Sequence, residues 1–155
     1  MKLILTQTPP KTTSSPMAQL GFCGLGVMGY PMAGHLSAAG HSVSVYNRTT
    51  AKADAWVAAF DGVSQATPRE VAACSDIVML CVGNDDDVRS VMLGADGVLA
   101  GAHEGMIVVD HTTTSAELAR EISAACIAAG VGFVDAPVSG GQAGAENGVL
   151  TVMCG

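Results

Sequence analysis

Gly24-Leu25-Gly26-Val27-Met28-Gly29 is the stretch on which the reading of this 155-residue chain turns. Alone, G-x-G-x-x-G is weak, because 19 glycines make chance matches easy. Its surroundings give it meaning. The run Gln19 to Cys23 in front of it has the content of a strand. Behind it Met28, Met32 and Leu36 recur at i, i+4, i+8, as one helix face requires. Pro31 suits a first turn, and Gly40 is placed to end the helix. In a strand–turn–helix unit the three glycines have separate tasks. Gly24 permits the tight turn, Gly26 lets a pyrophosphate approach the backbone, and Gly29 lets helix and strand pack closely. The helix N-terminus then supplies N–H groups and positive potential to the phosphates.

Working outward, Ser42 to Tyr46 reads as a second strand, followed by a helix carrying Ala53, Trp56, Val57 and Phe60 on one side. A short helix is expected over Pro68 to Ala73. Asp76 to Val82 is nearly unbroken apolar sequence, as expected of a strand covered on both faces. Asp85, Asp86 and Asp87 precede a helix over Val88 to Leu93, where carboxylates complement the dipole. Met106 to Val109 is the fourth strand. Thr114-Ser115-Ala116-Glu117 reads as a capping box before the stripe Leu118, Ile122, Cys126, Ala129. Gly132 to Val134 and Val149 to Met153 complete six strands. Strands alternating with helices over short loops imply an α/β, Rossmann-type doubly wound fold. Its sheet should be mainly parallel, of six strands or more, with helices on both faces.

Composition narrows the class of function. With 49% hydrophobic and 14% charged residues, the chain is neither a disordered tail nor a highly charged surface. No apolar run reaches the roughly 18 residues a membrane span needs. The net charge of −7 repels phosphate backbones and speaks against a nucleic-acid partner. Cys23, Cys74, Cys81, Cys126 and Cys154 show no C-x-x-C spacing and are expected as buried, reduced thiols of a cytoplasmic protein. Residues 1–18 are Thr/Pro/Ser-rich, lack the features of a secretory signal, and are expected to be a disordered leader. Residues 19–155 form the domain.

Three segments carry the remaining chemistry. Where an NAD site usually places an acid at the end of the second strand, this chain has Asn47-Arg48-Thr49. Asn47 does not repel a 2′-phosphate, Arg48 can pair with one, and Thr49 can hydrogen-bond to it, so NADP is favoured over NAD. Val82-Gly83-Asn84 and Asp110-His111-Thr112-Thr113 end the third and fourth strands and should face the cofactor. His111 is read as a solvated loop histidine. The three aspartates are read as a helix start, and no metal site is expected. In Asp135-Ala136-Pro137-Val138-Ser139-Gly140-Gly141, Pro137 bends the chain, and Ser139, Gly140 and Gly141 offer a hydroxyl and close backbone donors. Such a nest suits a carboxylate, although an N-cap with glycines explains it equally well.

Taken together, Gly24 to Ala33, Gly40-His41, Asn47-Arg48-Thr49 and Asp135 to Gly141 resemble the β-hydroxyacid dehydrogenase family. That family includes 3-hydroxyisobutyrate dehydrogenase, tartronate semialdehyde reductase and glyoxylate/succinic semialdehyde reductases, and is related to 6-phosphogluconate dehydrogenase. The resemblance runs from Gln19 to Gly155. It implies a dinucleotide loop at Gly24, Leu25, Gly26, Val27, Met28 and Gly29, and a ribose-side selector at Asn47, Arg48 and Thr49. The nicotinamide-side loops fall on Val82, Gly83 and Thr113, and a substrate-carboxylate loop on Ser139, Gly140 and Gly141.

Members of that family continue into an all-helical domain whose lysine acts as general acid/base. Here the sequence ends at Gly155, and its lysines are Lys2, Lys11 and Lys52. The resemblance therefore implies a domain that binds NADP(H) and turns over a small 3-hydroxy acid or semialdehyde very poorly, since positioned acid–base catalysis contributes about 10²- to 10⁴-fold. No catalytic residue is assigned within this chain. An uncovered apolar face should favour homo-oligomers. Rival readings are a non-catalytic NADP sensor or scaffold, and a related fold that takes flavin or S-adenosylmethionine.

Overall fold

Six parallel strands form one sheet in the order β3-β2-β1-β4-β5-β6: β1 Gln19–Cys23, β2 Ser42–Tyr46, β3 Val63–Ser64, β4 Ile77–Leu80, β5 Ile107–Asp110 and β6 Gly132–Asp135. The computed structural model describes residues 17–155. All but the last two residues of the expected leader lie outside them. Helices α1 Gly29–Ala38, α2 Thr50–Ala59, α3 Pro68–Ala73, α4 Asp85–Leu93, α5 Val98–Gly101 and α6 Ala116–Ala128 connect the strands. A two-stranded antiparallel ribbon, β7 Val138–Ser139 and β8 Thr151–Val152, encloses α7 Gly141–Glu146.

Alternation along the strands sorts the core into two layers. Phe22, Val43 and Val45 face Ala33 of α1 and Ala53 and Trp56 of α2. Cys23, Val78, Leu80 and Val108 face the other way, toward Val71, Val88, Met92, Leu118, Ile122 and Cys126. Both sides are covered, as the unbroken apolar run at Ile77–Leu80 implied. Trp56 is fully buried, and its indole N–H donates to the Tyr30 carbonyl at 3.2 Å.

The chain winds from β1 out to β3, then returns to β4 on the other side of β1, so the order reverses between β1 and β4. Open α/β sheets bind ligands in the crevice at such a reversal. The registers Cys23↔Tyr46, Cys23↔Leu80, Leu80↔Asp110 and Asp110↔Asp135 align the carboxyl ends of five strands in one row.

Four expectations need correction. The stretch Val149 to Met153 supplies no strand of the main sheet: its residues Thr151–Val152 pair with Val138–Ser139 instead. The sixth strand is the two-residue edge Val63–Ser64. The cap of α6 is Ser115, whose hydroxyl accepts the Leu118 N–H at 3.1 Å, and Ala129, at the C-cap, is exposed. His111 is buried, its Nδ1 donating to the Ala136 carbonyl at 2.8 Å. Cys74 and Cys154, expected inside, are exposed.

The capping box belongs to α3. Thr67 Oγ1 accepts the Glu70 N–H at 3.2 Å, and Glu70 Oε2 accepts the Ala66 and Thr67 N–H groups at 2.9 and 3.3 Å. Thr67→Ala is expected to lower stability by about 1 kcal/mol, seen as an earlier urea midpoint with unchanged slope.

Candidate functional site

A cleft of about 420 Å³ opens where the strand order reverses. It is lined by the glycine loop after β1, the end of β2 with the first turn of α2, the loop after β4, and one side of α4. The structure thus brings together Gly24, Gly26, Val27, Met28, Gly29, Asn47, Arg48, Thr49, Val82 and Gly83.

The three loop glycines are required for different reasons. Gly24 has φ +103°, and a Cβ there would collide with the Cys81 carbonyl. A Cβ on Gly29 would collide with the carbonyl of Gly24. Both are demanded by the fold. Gly26 is not: its φ is ordinary, and a Cβ would meet nothing within 4 Å. The empty space beside it belongs to the cleft.

Backbone donors gather at the same place. Gly24 N–H donates to the Tyr46 carbonyl at 2.9 Å, and Tyr30 N–H to the Gly26 carbonyl at 3.0 Å, closing the first helical turn. Between them, the N–H groups of Gly26, Val27 and Met28 find no protein acceptor among the described residues. Unpaired donors around a cleft beside a side-chain-free residue suit an anionic group such as a diphosphate. Leu25 differs from its neighbours. Its side chain is buried in the core, and its N–H donates to Asn47 Oδ1 at 2.9 Å.

Asn47 is a clasp between β2 and the glycine loop. Besides holding Leu25, its Nδ2 donates to the Thr49 carbonyl at 3.0 Å. Arg48 extends from the rim with its side chain 87% exposed, and its Nη1 lies 3.4 Å from Asp87 Oδ1 on α4. Lys52, in the first turn of α2, also lines the cleft, as do Tyr46, Cys81, Asp87, Ser90 and Val91. The sequence reading did not assign these residues to the site. For Lys52 a signal existed, since it falls in the first turn of the helix that Thr49 precedes.

On the far side of the cleft, the loops after β4 and β5 are joined. Val82 N–H donates to Thr112 Oγ1 at 3.0 Å, and Thr112 N–H donates to Asp110 Oδ1 at 2.9 Å. Burial pushes the Asp110 carboxyl above its ordinary range, against the Thr112 hydrogen bonds that lower it. Burial, reinforced by the Asp110 charge, also raises the Cys81 thiol to about 11, so it is a neutral group at physiological pH. Thr113 is exposed and does not line the cleft.

Ser139, Gly140 and Gly141 also lie outside the cleft, on the exposed turn from β7 into α7. Gly140 at φ +134° and Gly141 at φ +64° make that turn. His35 of α1 donates from Nε2 to the Ala145 and Glu146 carbonyls at 2.8 and 3.1 Å, which docks α7 on the helix that opens the glycine loop. No cluster of three or more metal-ligating side chains occurs among the described residues, and no helix among them is long and apolar enough to cross a membrane.

Comparison with known proteins agrees with this geometry. The family model described as the NAD binding domain of 6-phosphogluconate dehydrogenase matches residues 19–155. An uncharacterised oxidoreductase of Shewanella frigidimarina is 60% identical over 139 residues, 90% of this chain and 48% of that protein. The structure of Mycobacterium tuberculosis 3-hydroxyisobutyrate dehydrogenase with L-serine superposes with a TM-score of 0.83 at 34% identity, over 90% of this chain and 47% of the other. Psf3 in complex with NADP+ and 2-OPP gives a TM-score of 0.82 at 32% identity, over 87% and 48%. The chain spans about half the length of each of these three relatives.

Proposed function

Because the chain belongs to the family of NAD-binding domains of 6-phosphogluconate dehydrogenase, we propose that its cleft holds NADP(H) for an oxidoreductase of the 3-hydroxyisobutyrate dehydrogenase type. The observation that carries this reading is Gly26, a glycine that nothing among the described residues requires, set against open cleft and flanked by N–H groups unpaired among them. A diphosphate lying there explains the residue.

Arg48 and Thr49, with Lys52 beside them, would hold the adenosine 2′-phosphate, and no acid stands at the end of β2 to compete from that position. A guanidinium pairs well with a phosphate. The NADP+ complex of a 32% identical neighbour supports the choice. Val82 and Gly83, which line the cleft, would face the nicotinamide. Ser139, Gly140 and Gly141, on the exposed turn from β7 into α7, would take a substrate carboxylate. Bound nicotinamide supplies the hydride chemistry, and the substrate would be a small 3-hydroxy acid or semialdehyde. Lys52, in the first turn of α2 next to Arg48 and Thr49, would then lie beside the ribose and away from proton transfer at the substrate.

Calorimetric titration with NADPH and NADH tests the reading. NADPH should bind more tightly. Arg48→Ala should weaken NADPH by about 10- to 100-fold, the value of a charge-assisted hydrogen bond at a partly exposed site, and change NADH by about threefold or less. A wild-type preference for NADH would overturn the assignment of Arg48.

A further inference from the structure

Three consecutive acids open α4, and the structure gives each a different partner. Asp85 is bound to Ser115, accepting its N–H at 3.1 Å and its hydroxyl at 2.6 Å. Those hydrogen bonds hold its carboxyl below the ordinary range. Asp86 points outward, 94% exposed, and lies 3.1 Å from Arg89, which also pairs with Glu121 at 3.0 Å. Only Asp87 lines the cleft. Its side chain is 30% exposed, Oδ1 lies 3.4 Å from Arg48, and Oδ2 occupies the space that a Cβ on Gly83 would need. Capping α4 does not depend on it, because Asn84 Oδ1 accepts the Asp87 backbone N–H at 3.0 Å.

We infer that Asp87 is a specificity-setting residue of the cofactor cleft: its carboxylate competes with the adenosine 2′-phosphate for Arg48 and holds NADP(H) affinity below what Arg48 and Lys52 would give alone. The inference rests on the reading that Arg48 takes the 2′-phosphate. The Arg48–Asp87 pair is exposed and longer than a tight ion pair, so separating it costs little. What persists after Arg48 has changed partners is repulsion between a carboxylate and a phosphate dianion across the same end of the cleft. NAD(H) carries a hydroxyl at that position and escapes the repulsion. Asp87 therefore narrows the preference for NADP(H) that Arg48 creates. Its action runs from α4, across the cleft from the strand end where acids usually select NAD.

The test is titration of the full chain and its Asp87→Asn, Asp86→Asn and Arg48→Ala variants with NADPH and NADH at low and high salt. Asp87→Asn should tighten NADPH by about three- to tenfold at low salt, with the gain shrinking at high salt as screening removes the repulsion. NADH affinity should stay within about twofold, as it should for both ligands in Asp86→Asn, which removes the same charge outside the cleft. Equal thermal midpoints for the two Asn variants would show that the gain is not a matter of folding. The inference is overturned if Asp87→Asn leaves NADPH unchanged or weaker, tightens NADH equally, or is matched by Asp86→Asn. If Arg48→Ala weakens NADPH while Asp87→Asn has no effect, the inference fails and the assignment of Arg48 stands. If Arg48→Ala leaves NADPH unchanged, both fail.

Discussion

Valine at position 26 is expected to remove NADPH binding while leaving the protein folded. The side chain has room: a Cβ on Gly26 meets nothing within 4 Å, and the backbone there is not in the left-handed region. What it fills is the cleft beside the N–H groups of Gly26, Val27 and Met28. A diphosphate pushed off two of those donors loses about 1.5–3 kcal/mol for each, so affinity should fall at least about 100-fold. Thermal unfolding should shift by no more than about 2 °C, the range of a surface substitution. Calorimetry beside a melting curve checks both halves. Binding within tenfold of the unmodified chain would remove the main support for a diphosphate at this loop.

Alanine at position 29 should do the reverse, damaging the fold before the ligand is in question. Its Cβ would run into the Gly24 carbonyl, a backbone atom that cannot rotate away. Helix α1 must then move off β1, loosening Phe22, Ala33 and Leu25 in the layer beneath. Overpacking of this kind costs about 1–3 kcal/mol when side chains can adjust, and more when backbone must. About 3 kcal/mol or more is expected, a large part of the roughly 5–15 kcal/mol that holds a domain together. Urea unfolding reads it directly, and a midpoint equal to that of the unmodified chain would show that helix and strand are less closely set than the geometry says. One motif thus holds a glycine with open space beside it and a glycine that the packing of helix on strand requires.

The central elements were legible because their patterns are long enough to carry a period. β1, α1, β2 and β4 fall where apolar spacing and glycine punctuation put them. Short elements have no period to read. Val63–Ser64 is an exposed pair that joins the sheet because Gln65 N–H reaches the Val45 carbonyl and Ser44 and Val45 lie alongside. Val149 to Met153 has the composition of a strand, but composition does not name a partner, and Val138–Ser139 is the one beside it. Thr114 and Ser115 are equally able caps. Asp85 decides between them by taking both the N–H and the hydroxyl of Ser115.

Around the cleft, local signals named the loop glycines and Asn47, Arg48 and Thr49, which the structure brings together, while contributions from a second element stayed hidden. Asp87 was read as a helix start, which it also is. That it faces Arg48 depends on how α4 sits against the end of β2, and no spacing within either segment records that. His111 was misjudged for the same reason. Its burial is set by the chain after β6, whose Ala136 carbonyl it holds.

The level registers of the strands have an evolutionary corollary. Cys23, Tyr46, Leu80, Asp110 and Asp135 stand abreast, and each residue of a strand advances the chain by about 3.3 Å. Gaining or losing one residue within a strand would therefore step its loop out of line with the others and exchange the two layers of its side chains. Descendants of this domain are free to rewrite the letters of the loops, but indels inside the strands should be nearly absent from them.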